Sequence, residues 1–355
     1  MNQKLLALGV VFLSVMAPLK AQAVNFTGLN IFGDSLVDTG NLFNLTGSPP
    51  SPPYAQKFSN GPLWIDNLAN ELSLTPALST DVLPGVLTGA ILPPSQGINF
   101  AFGGALTSDL NVGSPLLPGL QQQIETFTDL TTVAPADSSA LYVLWAGGND
   151  YNEVFFNPNS LTVPLPALPH QTTSNISAAV QTLIDVGAKD FLVVNLPSLG
   201  GTPFADLLDQ QIDPSISNQL NDLTAEHNLL LEQKLDQLRG LPDVNITTFD
   251  VNSLLAEVVA NPDQFGFTNV DDPCLINFMP GFRFDGVCEN PDEFLYWDDN
   301  HPTARAGEII AQAASDTLGL QTVPEPASGL GLLALGALGA GSRAKRQSPS
   351  RTSRG

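Results

Sequence analysis

The chain has 355 residues, 43% of them hydrophobic and 14% charged, a globular composition that excludes disorder throughout. Thirteen Lys and Arg against 35 Asp and Glu give a formal charge of −22, which repels nucleic acid phosphates and excludes a nucleic acid partner. The basic residues crowd the ends: Lys4 and Lys20 lie in residues 1–23 and five more in residues 323–355, so the acidic body keeps only Lys57, Lys189, Lys234, Arg239, Arg283 and Arg305.

Met1 to Ala23 reads as a secretory signal, with Lys4, the apolar run Leu5 to Val15, and Ala21-Gln22-Ala23 as a small-x-small cleavage site; export through the Sec translocon is expected. From there strand-like and helix-like segments alternate, which predicts helices on both faces of a mostly parallel five-stranded sheet. Leu29 to Phe32 is the first strand, and Leu63 to Leu72 is helical through Trp64, Leu68 and Leu72. Ile98 to Phe102 is the second strand, followed by a helix over Gln121 to Leu130. Leu141 to Trp145 is a short apolar run of the kind buried in a parallel sheet. Ser174 is placed to cap a helix running to Ile184, with Gly187 just past its end. Phe191 to Leu196 is the fourth strand, Ser215 to Leu238 a long helix, Val244 to Phe249 the fifth strand and Thr303 to Leu318 the closing helix. The Pro-rich stretches 48–53, 92–96 and 158–169 read as surface loops, and nothing divides residues 24–322 into two domains.

At the far end Val323-Pro324-Glu325-Pro326 precedes the apolar stretch Ala327 to Ser342 and then Arg343-Ala344-Lys345-Arg346. Sixteen residues at about 1.5 Å rise reach roughly 24 Å, short of a hydrocarbon core of roughly 30 Å, so this is a weak span that the basic flank would hold on the cytoplasmic side. The three-part order resembles the PEP-CTERM sorting signal. That resemblance implies a transient membrane anchor, processing near the Pro-Glu-Pro by an exosortase-like enzyme, and a surface or extracellular destination.

In an open parallel sheet, ligands bind beyond the carboxyl ends of the strands. Four strings fall at that edge: Gly33-Asp34-Ser35-Leu36, Asn99 to Ala105 with Gly103-Gly104, Gly147-Gly148-Asn149-Asp150, and Asp298-Asp299-Asn300-His301. A serine hydroxyl needs a base to become a nucleophile, and Ser35 lies at a Gly-containing turn that exposes it. His301 is the candidate base, with Asp298 three residues earlier to hold the other imidazole nitrogen. The amide of Ser35, a glycine amide at Gly103 or Gly104, and the side chain of Asn149 are candidate donors to an oxyanion.

In this order the four strings resemble the blocks of the SGNH or GDSL hydrolase family, over roughly Leu29 to Leu318. The resemblance implies a flavodoxin-like three-layer α/β/α fold and an esterase or lipase acting on an ester substrate: a short-chain ester, a lipid or an acylated glycan. It also implies Ser35 as nucleophile, Asp298 and His301 as its partners, and an oxyanion hole of Ser35, Gly104 and Asn149. An acyltransferase, a polysaccharide O-acetyl esterase and a noncatalytic surface protein are the competing readings.

The remaining candidates are weaker. Cys274 and Cys288, fourteen residues apart in an exported body, suit one disulfide better than a metal site, and no metal or cofactor is assigned. His227 reads as a surface histidine of the long helix and His170 as loop decoration. Asp34 and Asp38 are expected to bond local backbone amides, and Asp271 with Asp272 lacks the further ligands a calcium site needs. Phe278, Phe282, Phe284, Phe294, Tyr296 and Trp297 either wall an acyl pocket or fill ordinary core; the two readings are even.

Overall fold

Within Leu141–Trp145 every residue is buried, and successive side chains part to opposite faces, as the two-residue period of a strand requires. Leu141, Val143 and Trp145 enter one apolar cluster, Tyr142 and Leu144 the other. The computed structural model describes residues 25–89, 94–157, 163–279 and 281–320. In it six parallel strands form one sheet: β1 Leu29–Gly33, β2 Ala77–Leu78, β3 Ile98–Asn99, β4 Leu141–Trp145, β5 Asp190–Val194 and β6 Asn245–Phe249. Their order across the sheet is β2-β3-β1-β4-β5-β6, so the direction of winding reverses beside β1.

The helices are α1 Asn41–Thr46, α2 Trp64–Glu71, α3 Ser79–Leu87, α4 Leu120–Thr131, α5 Gly148–Phe156, α6 Leu168–Asp185, α7 Pro203–Gln211, α8 Ile216–Arg239, α9 Val251–Ala260, α10 Pro262–Phe265 and α11 Ala304–Thr317. Trp64, Leu68, Val258, Ile310 and Ala314 bring α2, α9 and α11 onto one face of the sheet. Ile124, Phe127, Val180, Leu183, Leu231 and Leu235 bring α4, α6 and α8 onto the other. The result is a three-layer α/β/α sandwich in which both sheet faces are removed from water, the condition that makes parallel strands read as unbroken apolar runs. Beside it lie two small two-stranded pieces: β7 Asn269–Pro273 pairs β10 Phe294–Tyr296, and β8 Leu275–Ile276 pairs β9 Gly286–Val287. The sulfurs of Cys274 and Cys288 are bonded across the second piece.

Several features differ from the sequence reading, among them the strand expected over Ile98 to Phe102, which ends at Asn99. The sheet has a sixth strand, β2, whose two half-buried residues are too short to show a period. Helix α6 begins at Leu168 rather than after Ser174, because Pro169 occupies its first turn, where a missing N–H costs nothing. Ser174 therefore sits inside the helix and returns its hydroxyl to the carbonyl of His170. His227 is fully buried on α8, its Nδ1 2.9 Å from the Tyr151 hydroxyl, so the surface assignment is wrong. Burial pulls its pKa down to about 3, which keeps it neutral. No helix among the described residues is long and apolar enough to cross a membrane. The stretches read as signal and as tail span lie outside the described residues.

Candidate active site

The site is assembled from four loops, three that follow β1, β3 and β4 of the central sheet and one that follows β10 of the two-stranded piece beside it. β1 ends at Gly33, where φ is +146° and a Cβ would stand 2.0 Å from the carbonyl oxygen of Trp145, so only glycine lets the chain turn there. The peptide of Gly33 is clasped on both sides by the buried Gln123: its N–H donates to Oε1 at 2.8 Å, and Nε2 donates to its carbonyl at 2.8 Å. Two residues on, the hydroxyl of Ser35 reaches Nε2 of His301 at 2.8 Å. Gln123 escaped the sequence reading because nothing in a helical glutamine marks it as the partner of a peptide 90 positions away.

His301 and Asp298 come from the loop between β10 and α11. That loop is closed by a bond from the Trp297 N–H to the His301 carbonyl at 2.7 Å, and it is terminated by Thr303, which caps α11. The Nδ1 of His301 lies 2.8 Å from both oxygens of Asp298, which is 1% exposed. Asp298 also accepts the N–H groups of Asn300 and His301 on Oδ1, and on Oδ2 the hydroxyl of Tyr54 at 2.7 Å. Burial pushes the Asp298 carboxyl up, but the imidazole charge and these donors outweigh it and hold the pKa below the ordinary value. Conversely, burial pulls His301 down, while the carboxylates of Asp298, Asp299 and Asp34 outweigh it and raise the imidazole above its usual range. The ring of Phe58 lies over the imidazole, with centroids 4.8 Å apart.

The other two loops carry amide donors. Asp38 sits under them, 1% exposed, and accepts the N–H groups of Gly40 and Asn41 on one oxygen and of Leu42 and Gly103 on the other. The amide of Gly103 is thereby consumed at 2.9 Å. The N–H of Gly104, where φ is +79°, and that of Ser35 find no protein acceptor among the described residues. After β4, Gly147 at φ +125° turns the chain into α5, and Asn149 in its first turn donates one side-chain N–H to the carbonyl of Ala105 at 3.1 Å. Asp34 bonds the Leu36 amide, and burial drives its pKa up to about 7. Asp150 bonds the Thr107 amide and hydroxyl, with burial raising it to about 6.

Ser35, Asn149 and His301 line one cleft, whose apolar walls come from Leu36, Trp145, Leu196, Leu199, Leu255 and Tyr296. Of the six aromatics left open by the sequence, Tyr296 faces this cleft. Phe278, Phe282, Phe284, Phe294 and Trp297 instead gather with Tyr54 around the disulfide. His170 is exposed on α6 rather than in a loop and is not among the residues lining the cleft, and among the described residues no cluster of three His, Cys, Asp or Glu could hold a metal ion.

A parallel α/β sandwich thus carries a serine, an imidazole and a buried carboxylate in hydrogen-bonded sequence, the arrangement that nucleophilic acyl transfer by a serine requires. The family profile described as GDSL-like Lipase/Acylhydrolase matches residues 29–314, and that of the PEP-CTERM protein-sorting motif matches residues 322–346. The chain is 30% identical over 328 residues to the sinapine esterase of Brassica napus, an alignment spanning 79% of this chain and 82% of that protein. It is also 30% identical over 275 residues to the phosphatidylcholine-sterol acyltransferase of Aeromonas hydrophila, spanning 75% and 70%. The structure of an acetylxylan esterase from Geobacillus stearothermophilus overlays with a TM-score of 0.44 at 11% identity, covering 83% of this chain and 95% of that one. The protein belongs to the GDSL lipase/acylhydrolase family and is a carboxylic ester hydrolase.

Proposed function

We propose that the protein is an exported serine esterase that cleaves carboxylic esters through an acyl-enzyme on Ser35. The body, residues 24–322, does the chemistry; residues 1–23 direct export, and residues 323–355 sort the chain to the cell surface after processing by an exosortase-like enzyme. The observation carrying the proposal is the unbroken chain from Ser35 Oγ to His301 Nε2 and from His301 Nδ1 to Asp298, each step 2.8 Å.

In that chain His301 takes the proton of Ser35 as Oγ attacks the ester carbonyl carbon, and Asp298 stabilises the imidazolium that results. The carbonyl oxygen, now negative, meets the amides of Ser35 and Gly104 and the second side-chain N–H of Asn149, whose first is held by Ala105. Gly103 is set aside for this role because its N–H already serves Asp38. Collapse breaks the ester C–O bond, and His301 returns the proton to the leaving alcohol. Water then repeats the attack on the acyl-Ser35 ester, with His301 again accepting the proton; collapse breaks the acyl–Oγ bond, the acid is released and His301 returns the proton to Ser35. The apolar walls of the cleft suit an acyl chain.

The test is turnover of para-nitrophenyl acetate and labelling by a fluorophosphonate probe in the wild type and in Ser35→Ala. Loss of both in the variant is expected; turnover or labelling that survives it ends the proposal. The likeness to an acyltransferase favours a second reading in which an alcohol replaces water as acceptor. Product analysis with an added alcohol decides between them: a transferred ester supports the second, free acid alone the first.

A further inference from the structure

Asp298 has a contact from outside its own loop that the scheme above does not use. The hydroxyl of Tyr54, 244 positions earlier in the chain, donates to its Oδ2 at 2.7 Å. The other oxygen is already occupied by the amides of Asn300 and His301, which belong to the same loop and move with it. Tyr54 is therefore the donor that ties the carboxylate to a different part of the molecule. Its ring is 2% exposed and is wedged edge-on against Trp297 and Phe282, at centroid distances of 6.1 and 5.5 Å. The segment that carries it is stitched to the far side of the histidine, because the Ser59 hydroxyl donates to the Pro302 carbonyl and Asn60 accepts the Ala304 amide. Burial and the neighbouring Asp298 charge push the phenol far above its ordinary value, so it remains a donor at every working pH.

Taking the Ser35–His301–Asp298 assignment as its basis, we propose that Tyr54 is a positioning residue. It locks the rotation of the Asp298 carboxylate and draws off part of its charge, and so sets both the orientation and the basicity of His301. A phenol shared with the carboxylate weakens the carboxylate's hold on the imidazolium, which lowers the pH at which His301 becomes neutral and able to act. Three carboxylates bear on the imidazole, Asp298 and Asp299 from its own loop and Asp34 from the loop after β1; Tyr54 alters only the first.

Tyr54→Phe keeps the ring packing and removes the hydroxyl. With para-nitrophenyl acetate, kcat is expected to fall roughly tenfold with KM unchanged, and the acid limb of the pH profile to move to higher pH. Site-specific 3-fluorotyrosine at position 54 is a stronger donor and should move the limb to lower pH without removing any contact, which keeps the test alive should Tyr54→Phe fold poorly. In an Asp298→Asn background Tyr54→Phe should have little further effect. A limb that stays in place in both position-54 variants, or an undiminished loss in the Asp298→Asn background, overturns the role of Tyr54. Ser35→Ala in the same assay separates the two levels. If it retains turnover, the underlying assignment fails; if it is dead while the position-54 variants match wild type, Tyr54 alone is refuted.

Discussion

Asn149→Ala tests the side-chain donor proposed for the oxyanion. One N–H of this amide is held by the Ala105 carbonyl at 3.1 Å, which orients the group before substrate arrives, and the residue lines the cleft shared with Ser35 and His301. A preorganised donor of this kind contributes about 2.7–4 kcal/mol to the transition state, so kcat should fall about 10²- to 10³-fold while KM changes little. The fold should hardly notice: the residue is half-buried, and losing one neutral hydrogen bond costs about 1 kcal/mol. Steady-state kinetics on para-nitrophenyl acetate, with thermal melting of the same samples, measures both quantities. Asn149→Asp, which offers an acceptor where a donor is needed, should be at least as slow. A kcat within about fivefold of wild type in Asn149→Ala, with the protein folded, would refute the placement of the oxyanion beside Asn149.

Three further outcomes follow from the same geometry. Because the charges of Asp298, Asp299 and Asp34 raise His301 above the usual imidazole value, activity should be lost on the acid side at a pH above the ordinary imidazole range; a limb at or below that range would contradict the field described. Asp34 and Asp299 titrate near 7 and Asp150 near 6 in the folded chain, all raised, mainly by burial. The folded state then binds more protons than the unfolded one from about pH 4 to 7, and stability falls as pH rises through that window, by at most about 1.4 kcal/mol per group per pH unit. Melting of the Ser35→Ala protein should accordingly be higher at pH 5 than at pH 8, and Asp34→Asn should flatten the slope; the opposite trend would count against these shifts. Reducing the Cys274–Cys288 bond, which closes a loop of 14 residues' separation, should cost roughly 3 kcal/mol in the chain-entropy picture and lower the melting midpoint by several degrees; an unchanged midpoint would show the reduced chain already confined.

Much of this enzyme was legible in order along the chain. Apolar runs such as Leu141–Trp145 can only be buried on both faces, and helical periods such as Leu220 to Leu238 can only cover them, so a parallel sheet between two helical layers follows from local pattern alone. Ser35, Asn149, Asp298 and His301 stood out because the chemistry of each needs a particular residue type at the end of a strand. What pattern could not supply was every relation between side chains distant in sequence. Which of Gly103 and Gly104 keeps a free amide depends on Asp38 reaching across to take the first. The burial of His227 has no local sign, because its place beside Glu226 on α8 does not show Tyr151 meeting it from α5. The six aromatics before His301 divide between cleft and disulfide core only once β7 to β10 are folded. Gln123 and Tyr54, the partners of the Gly33 peptide and of Asp298, carry no local signal at all. Local periodicity encodes which side of an element is apolar, whereas a hydrogen bond between groups 244 positions apart exists only after packing has spent the entropy that brings them together.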